Sequence, residues 1–319
     1  MYKFTSLVII GLLLVSCGNT PVAEKPLSYS PNTIQEATLF APGVISTENN
    51  SEFEIMFTPD GERAYFCRRA PEKKQKIYET TFVNGDWTTP RVCDFSVDRD
   101  ETASITPDGN LFFFGSERPI PDRPNQGAFD MNIWMMKKTG DRWGTPVPLP
   151  APINEVQVEG EQWPSSNNNF LSAVDNETFY YTTMVRGSKA IKLYQTQYRD
   201  GTFSEPEEIK GLFEDEKYWI YSPVVSPDGK YLFFNSFAVP GGAGGEDIYV
   251  AQKTAEGWSK AQSIGPKINS KNEEGAPRFS RDGKYFFFSR SENLGNDEYG
   301  EWSLYFIETA FLELENLFD

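Results

Sequence analysis

The sequence predicts an all-β fold: a β-propeller of five four-stranded blades, with six blades as the second choice. Three observations predict it. First, one phrase recurs, a strand end, a tight Asp-Gly turn and an aromatic-rich strand. It stands at Phe57–Phe66, Ile105–Phe114, Val225–Asn235 and Phe279–Phe288, with a worn copy at Ala173–Tyr181. Second, the turn positions Asp60, Asp108, Asn176, Asp228 and Asp282 are 48, 68, 52 and 54 residues apart, a period that suits one four-stranded blade. Third, no long stretch carries a 3.6-residue hydrophobic period, and aromatics reach 15%.

The elements follow in order. Residues 1–16 form a short apolar run, Leu7 to Val15, behind a positive N-terminus, which reads as a signal peptide. It ends in Leu14-Val-Ser-Cys17-Gly18, which resembles a bacterial lipobox. That resemblance implies cleavage before Cys17, lipidation of its thiol and attachment to a membrane surface. Gly18 follows the cysteine where an inner-membrane retention signal would place Asp, so an outer-membrane location is expected. Residues 17–35 are polar and proline-bearing, and read as a tether. Residues 36–319 are the propeller domain.

Each copy begins with a polar loop and an inner strand. In the turn, Pro227 pre-sets φ and Gly229 takes the positive φ that closes the hairpin. A third strand follows: Lys76–Phe82, Asn132–Met136, Ile191–Thr196, Asp247–Ala251 and Ser303–Ile307. Four copies then show a second turn backed by an aromatic, at Trp87, Trp143, Phe203 and Trp258. A fourth strand closes each unit, as in Pro90–Phe95. The fifth copy lacks the second turn, whereas Ala37–Ile45 reads like a stray fourth strand. The N-terminal strand is therefore expected to complete the last blade and hide the sheet edges.

The Ser-Pro-Asp-Gly-Lys phrase with its aromatic strand resembles the TolB-type, WD40-like β-propeller repeats. The resemblance covers roughly residues 37–310 and implies the propeller fold.

Composition narrows function. A net charge of −16 argues against nucleic acid and against charge-driven docking on anionic lipid. The chain has no histidine, which excludes Ser-His-Asp and Cys-His catalysis and histidine-ligated zinc. Cys67 and Cys93 fall two strands apart in one blade, too far for a bridge, and are expected as free buried thiols. The aromatic runs Phe112–Phe114, Phe233–Phe234 and Phe286–Phe288 are expected as core.

The Asp-Gly and Gly-Trp turns are short and alike, and share one face. The loops of the other face are long and differ in every copy, so binding is expected there. Arg68, Arg69, Arg118, Arg186 and Arg290 fall just after the aromatic strand in four copies. Asp98, Asp100, Glu101, Glu159, Glu161, Glu273 and Glu274 precede inner strands. Two outcomes are open. In one, Arg68, Arg69, Glu101, Arg118, Glu161, Arg186, Glu274 and Arg290 form a polar ligand site, with Trp163, Trp219 and Tyr221 as stacking walls. In the other, arginines and acids pair with each other and order the loops. The clustered oxygens of Asp98–Glu101 and Asn296–Glu298 leave calcium open as an alternative, but their spacing matches no calcium loop, so no cofactor or metal is expected.

The leading expectation is a monomeric, non-enzymatic module of the cell envelope that holds an envelope protein or a glycan, touching membrane only through its acyl chains. The alternatives are a carboxylate-based glycan hydrolase on the same face and a purely structural lipoprotein. A close pair of acids in the funnel, one of them desolvated, favours the hydrolase; a funnel plugged by aromatics counts against it.

Overall fold

The computed structural model describes residues 27–122, 130–154, 170–184, 191–215, 217–295 and 298–318. It is a five-bladed β-propeller, each blade an antiparallel meander that starts at an inner strand. In blade 1 the inner strand is Ser51–Phe57, the second Arg63–Arg69, the third Lys76–Val83 and the outer Arg91–Val92. The inner strands of blades 2 to 5 are Asp100–Ile105, Leu171–Ala173, Tyr221–Val225 and Glu273–Phe279. Their second strands are Leu111–Ser116, Thr178–Met184, Tyr231–Phe237 and Tyr285–Gly295. Third strands are Asn132–Thr139, Ile191–Arg199, Glu246–Thr254 and Glu298–Glu308.

Closure is by the N-terminal strand. Thr38 and Leu39 pair with Phe306 and Tyr305, so the first strand supplies the outer edge of blade 5. The chain before it is packed as well. Tyr29 stacks on Phe57 at 5.1 Å, tilts against Trp87 and Tyr285, and donates to the carbonyl of Gly61. Residues 27–35, expected as tether, therefore lie against the junction of blades 5 and 1.

The repeated turn has a physical basis. Thr58 Oγ donates to Asp60 Oδ1 at 2.6 Å, and the same oxygen accepts the amide of Glu62. Thr106 with Asp108, Ser226 with Asp228 and Ser280 with Asp282 repeat this at 2.6 Å. The glycine is needed for its φ of about +72°, and at Gly109 also for space, because a Cβ there would stand 2.9 Å from Pro59 of the preceding blade. One turn thus packs on the next around the ring.

The core is five slabs between neighbouring sheets. Phe112 and Phe114 lie in the slab between blades 1 and 2, and Phe233, Phe286 and Phe288 in that between blades 4 and 5. In blades 2 and 4 the second-turn tryptophan ties the blade to the one before it. Trp143 Nε1 donates to Tyr65 Oη at 3.0 Å, and Trp258 Nε1 to Tyr180 Oη at 3.2 Å. Blade 5 has no such turn. Its third strand runs into two 3₁₀ turns, Thr309–Leu312 and Leu314–Leu317, and Leu312 and Leu314 bury themselves in the slab between blades 4 and 5. Cys67 and Cys93 are free and buried, and burial pushes both thiols up. Among the described residues no helix is long and apolar enough to cross a membrane.

Candidate functional site

Four inner strands carry the same irregularity. Their ladders shift between Phe53 and Met56, Glu101 and Ser104, Tyr221 and Val224, and Gly275 and Arg278. At each bulge a non-glycine residue takes a left-handed backbone: Glu54, Thr102, Ser222 and Ala276, with φ of 59°, 57°, 47° and 53°. Such residues store backbone strain, and bulges re-aim side chains. Two of the amides freed from the ladder are captured by the preceding blade. Thr102 N donates to Glu54 Oε2 at 2.7 Å, and Ala276 N to Asn235 Oδ1 at 3.2 Å.

The bulges surround a cavity of about 390 Å³ at the loop-rich end of the axis. Phe53, Phe170, Tyr221, Phe237 and Trp302 form its aromatic wall. Phe170 and Phe237 meet Tyr221 edge-on at 5.7 and 5.5 Å, and Phe237 is 42% exposed. The polar lining includes Glu54, Gln75, Glu101, Asn235 and Glu246, with Arg69 and Arg99 beside them. At the opposite end of the axis Arg281, which replaces the turn proline in the fifth copy, donates Nε to Phe57 O at 2.9 Å and Nη2 to Ile105 O at 2.8 Å. Burial lowers this guanidinium to about 10. Arg281 thus bridges the inner strands of blades 1 and 2 at that end.

Two buried carboxyls dominate the electrostatics. Burial pushes Glu54 up to about 7; nearby Glu101 adds to the rise and buried Arg278 opposes it. Burial pushes Glu246 well above the ordinary range, and Glu273 adds to it. Asn235 Nδ2 donates to Glu246 Oε1, and Glu273 Oε2 accepts the amide of Glu246 at 2.5 Å. Glu101 accepts from Gln75 Nε2 and from Arg99 Nε at 3.3 Å.

The sequence-derived residues divide. Arg69, Glu101 and Tyr221 line the cavity, and Trp219 packs on Tyr221 at 5.9 Å. Arg68, Arg118 and Arg290 turn inward. Arg68 Nε pairs with Glu52 at 2.8 Å, Arg118 Nη2 with Asp100 at 2.8 Å, and Arg290 Nε with Glu274 at 2.7 Å. Each also donates to carbonyls of the loop that leads into its inner strand, at Val44 and Ile45, Phe95, and Ile268. Each guanidinium covers two rings: Phe66 and Tyr78, Phe114 and Trp134, Phe288 and Tyr305. These arginines brace loops, with their acids fully buried. Glu161, Trp163, Arg186 and Cys17 lie outside the described residues.

Sequence reasoning missed Glu54, Glu246, Phe237 and Trp302. Glu54 had a visible signal, a carboxylate directly followed by the apolar run Ile55–Phe57 of the inner strand. Glu246 had none, because it directly follows the glycine-rich loop 237–245 with no motif to set it apart from the chain's other acids. Among the described residues no three His, Cys, Asp or Glu groups come close enough to hold a metal ion.

No family model matches the chain, and no curated protein does. Solved structures do. A glycoside hydrolase is 11% identical with a TM-score of 0.55, covering 86% of this chain and 91% of that one. TolB from Acinetobacter baumannii is 15% identical with a TM-score of 0.47; the match covers 80% of this chain but only 56% of TolB. The propeller domain of Swd1 from Myceliophteria thermophila is 8% identical with a TM-score of 0.40, over 79% and 70% of the two chains. At these identities the likeness is one of fold.

Proposed function

We propose that this protein is a carbohydrate-binding module of the cell envelope, anchored through acyl chains on Cys17, with an outer-membrane location, and holding a glycan in its axial funnel. The observation that carries the reading is the cavity, with rings on its wall and carboxyl and amide groups on its lining. Sugar rings present apolar C–H faces to aromatic rings and a rim of hydroxyls to carboxylates and amides. The cavity's 390 Å³ fits a small ligand or a glycan end. A standard protein partner would need a broad interface instead.

The test is calorimetric titration of the soluble domain against a panel of oligosaccharides, beside Tyr221→Ala and Phe237→Ala. Binding by the native chain, weakened about tenfold or more in each variant (~1.4 kcal/mol), supports the proposal. Retention of no oligosaccharide, or equal binding by both variants, overturns it.

A second reading is favoured by one specific observation. Glu54, raised to about 7, faces a second carboxyl, Glu101, in the same cavity. A carboxylic acid kept neutral near pH 7 is suited to protonate a leaving glycosidic oxygen. In this reading the protein is a glycan hydrolase with Glu54 as general acid. Release of new reducing ends, lost in Glu54→Gln, would select it over simple binding.

A further inference from the structure

We infer that the ligand of the axial cavity carries a cationic amine, received where blades 4 and 5 meet by the Glu246 carboxyl and the rings of Tyr221 and Phe237. This deepens the glycan reading, on which it rests, by naming an amino sugar as the class. Glu246 is 93% removed from solvent by its 7% exposure, and it lines the cavity. Its Oε1 accepts from Asn235, and its Oε2 has no hydrogen-bond partner among the described residues. No ion pair reaches it among the described residues either. Its charged surroundings are acidic: Glu273, Glu274 and Asp247.

The position is built. A side chain at Gly275 would stand 3.0 Å from Glu246 Oε1, so the glycine leaves the carboxyl its room. Glu273 beside it is satisfied by the Glu246 amide and by Asn293 Nδ2 at 2.9 Å, which leaves Glu246 as the group facing the cavity. Burial pushes the Tyr221 phenol up, and Glu246 stands close enough to add to the rise. A ring face beside a carboxyl, in a cavity shielded from water, favours an ammonium over a neutral hydroxyl. An ammonium draws the buried carboxyl into its charged form and adds a cation–π contact, where a hydroxyl adds a hydrogen bond alone. Arg69 and Arg99 lie across the cavity on blades 1 and 2, and Arg99 is occupied by Glu101 and Glu117. The site therefore has a cation-seeking side and a cation-bearing side.

The test uses three probes on the full domain: a glucosamine tetramer, its N-acetylated counterpart, and hexylammonium. The acetylated sugar keeps the skeleton and loses the charge. The expected result is binding of the glucosamine tetramer about tenfold or more tighter than the acetylated one. Glu246→Gln should cut that ratio to within about threefold, with its melting temperature measured alongside. Phe237→Ala, at an exposed ring, gives a second variant that leaves the fold intact and should reduce the ratio in the same direction. Equal binding of both tetramers by the native domain overturns the amine and keeps the glycan. Binding of hexylammonium but of neither sugar keeps the amine and overturns the glycan. No binding of any probe overturns both.

Discussion

Blades 1, 2 and 5 differ from blade 4 at a single structural point. In the three braced blades a buried carboxylate at the head of the inner strand meets an arginine from the end of the second strand. In blade 4 the register puts Ile220 and Ser236 at those two places. Blade 4 therefore has no brace. Next along the same strand, where blade 1 carries Arg69, it carries Phe237, and its carboxylate comes instead from Glu246 on the third strand. Where the repeat is kept, charges cancel inside the fold. Where it is broken, a ring and a carboxyl face the cavity. The brace is also tolerant in sequence. Arg118 reaches the same ring pair from two residues further along the chain than Arg68 and Arg290 do.

The largest effect is expected from breaking a brace. Arg290→Ala leaves Glu274, whose side chain is 0% exposed, without its cation. The expected loss is about 3–5 kcal/mol in urea unfolding. If blade 4 shows an equivalent solution, Arg290→Ser combined with Glu274→Ile, its own pair, recovers most of that loss. A single variant that costs under about 1 kcal/mol would mean the brace is incidental. A double variant no better than the single would mean that blade 4 depends on other contacts.

Next in size is a contrast between two glutamates at different pH. Burial holds the Glu274 carboxyl above its ordinary range as well, against the pull of Ser270 and Arg290, but Glu274→Gln removes half of a brace, and a loss of about 1–3 kcal/mol is expected near neutral pH. Glu246→Gln should act with the opposite sign. Burial holds the folded Glu246 pKa well above its unfolded value of 4.5. The folded state then keeps a proton the unfolded state has released, so stability falls as pH rises through that window. Glutamine removes the dependence. Glu246→Gln should melt higher than the native domain at pH 8 and level with it at pH 4, a shift of about 2–4 °C per kcal/mol gained. Equal melting at both values would show that Glu246 is not desolvated.

This contrast also explains what the sequence made legible. The fold was open to reading because the turn chemistry is local. A hydroxyl, an aspartate and a glycine fix the hairpins of blades 1, 2, 4 and 5 within six residues, whatever the rest of the chain does. Closure was legible from one surplus strand and one missing turn. The arginines and acids were seen, and the choice between clamping a ligand and pairing was not. That choice depends on the face of the inner strand on which a residue falls, and a one-residue shift reverses the face. Glu101, one residue past braced Asp100, lines the cavity. Glu274, one residue before the blade 5 bulge, does not. The second-turn aromatics, read as part of a turn, lie on short strands of their own, such as Asp86–Trp87, which pairs with the same third strand as Arg91–Val92.

The smallest expected change in stability is at Phe237, and it sharpens the comparison most. Its ring is 42% exposed and touches Tyr221 from one side, so Phe237→Ala should alter unfolding by no more than about 0.5 kcal/mol. Arg69 holds the matching place in braced blade 1, with Ser51 Oγ at 3.3 Å as its contact, and Arg69→Ala should be equally mild. The Phe237 ring stands on the cavity wall beside Tyr221, where a bound ligand would meet it. The two variants should therefore separate on binding rather than on melting: Phe237→Ala weakens the ligand that Glu246 receives, and Arg69→Ala leaves its amine preference in place. If Phe237→Ala instead costs several kcal/mol, the ring belongs to the slab between blades, and blade 4 departs from the repeat for structural reasons alone.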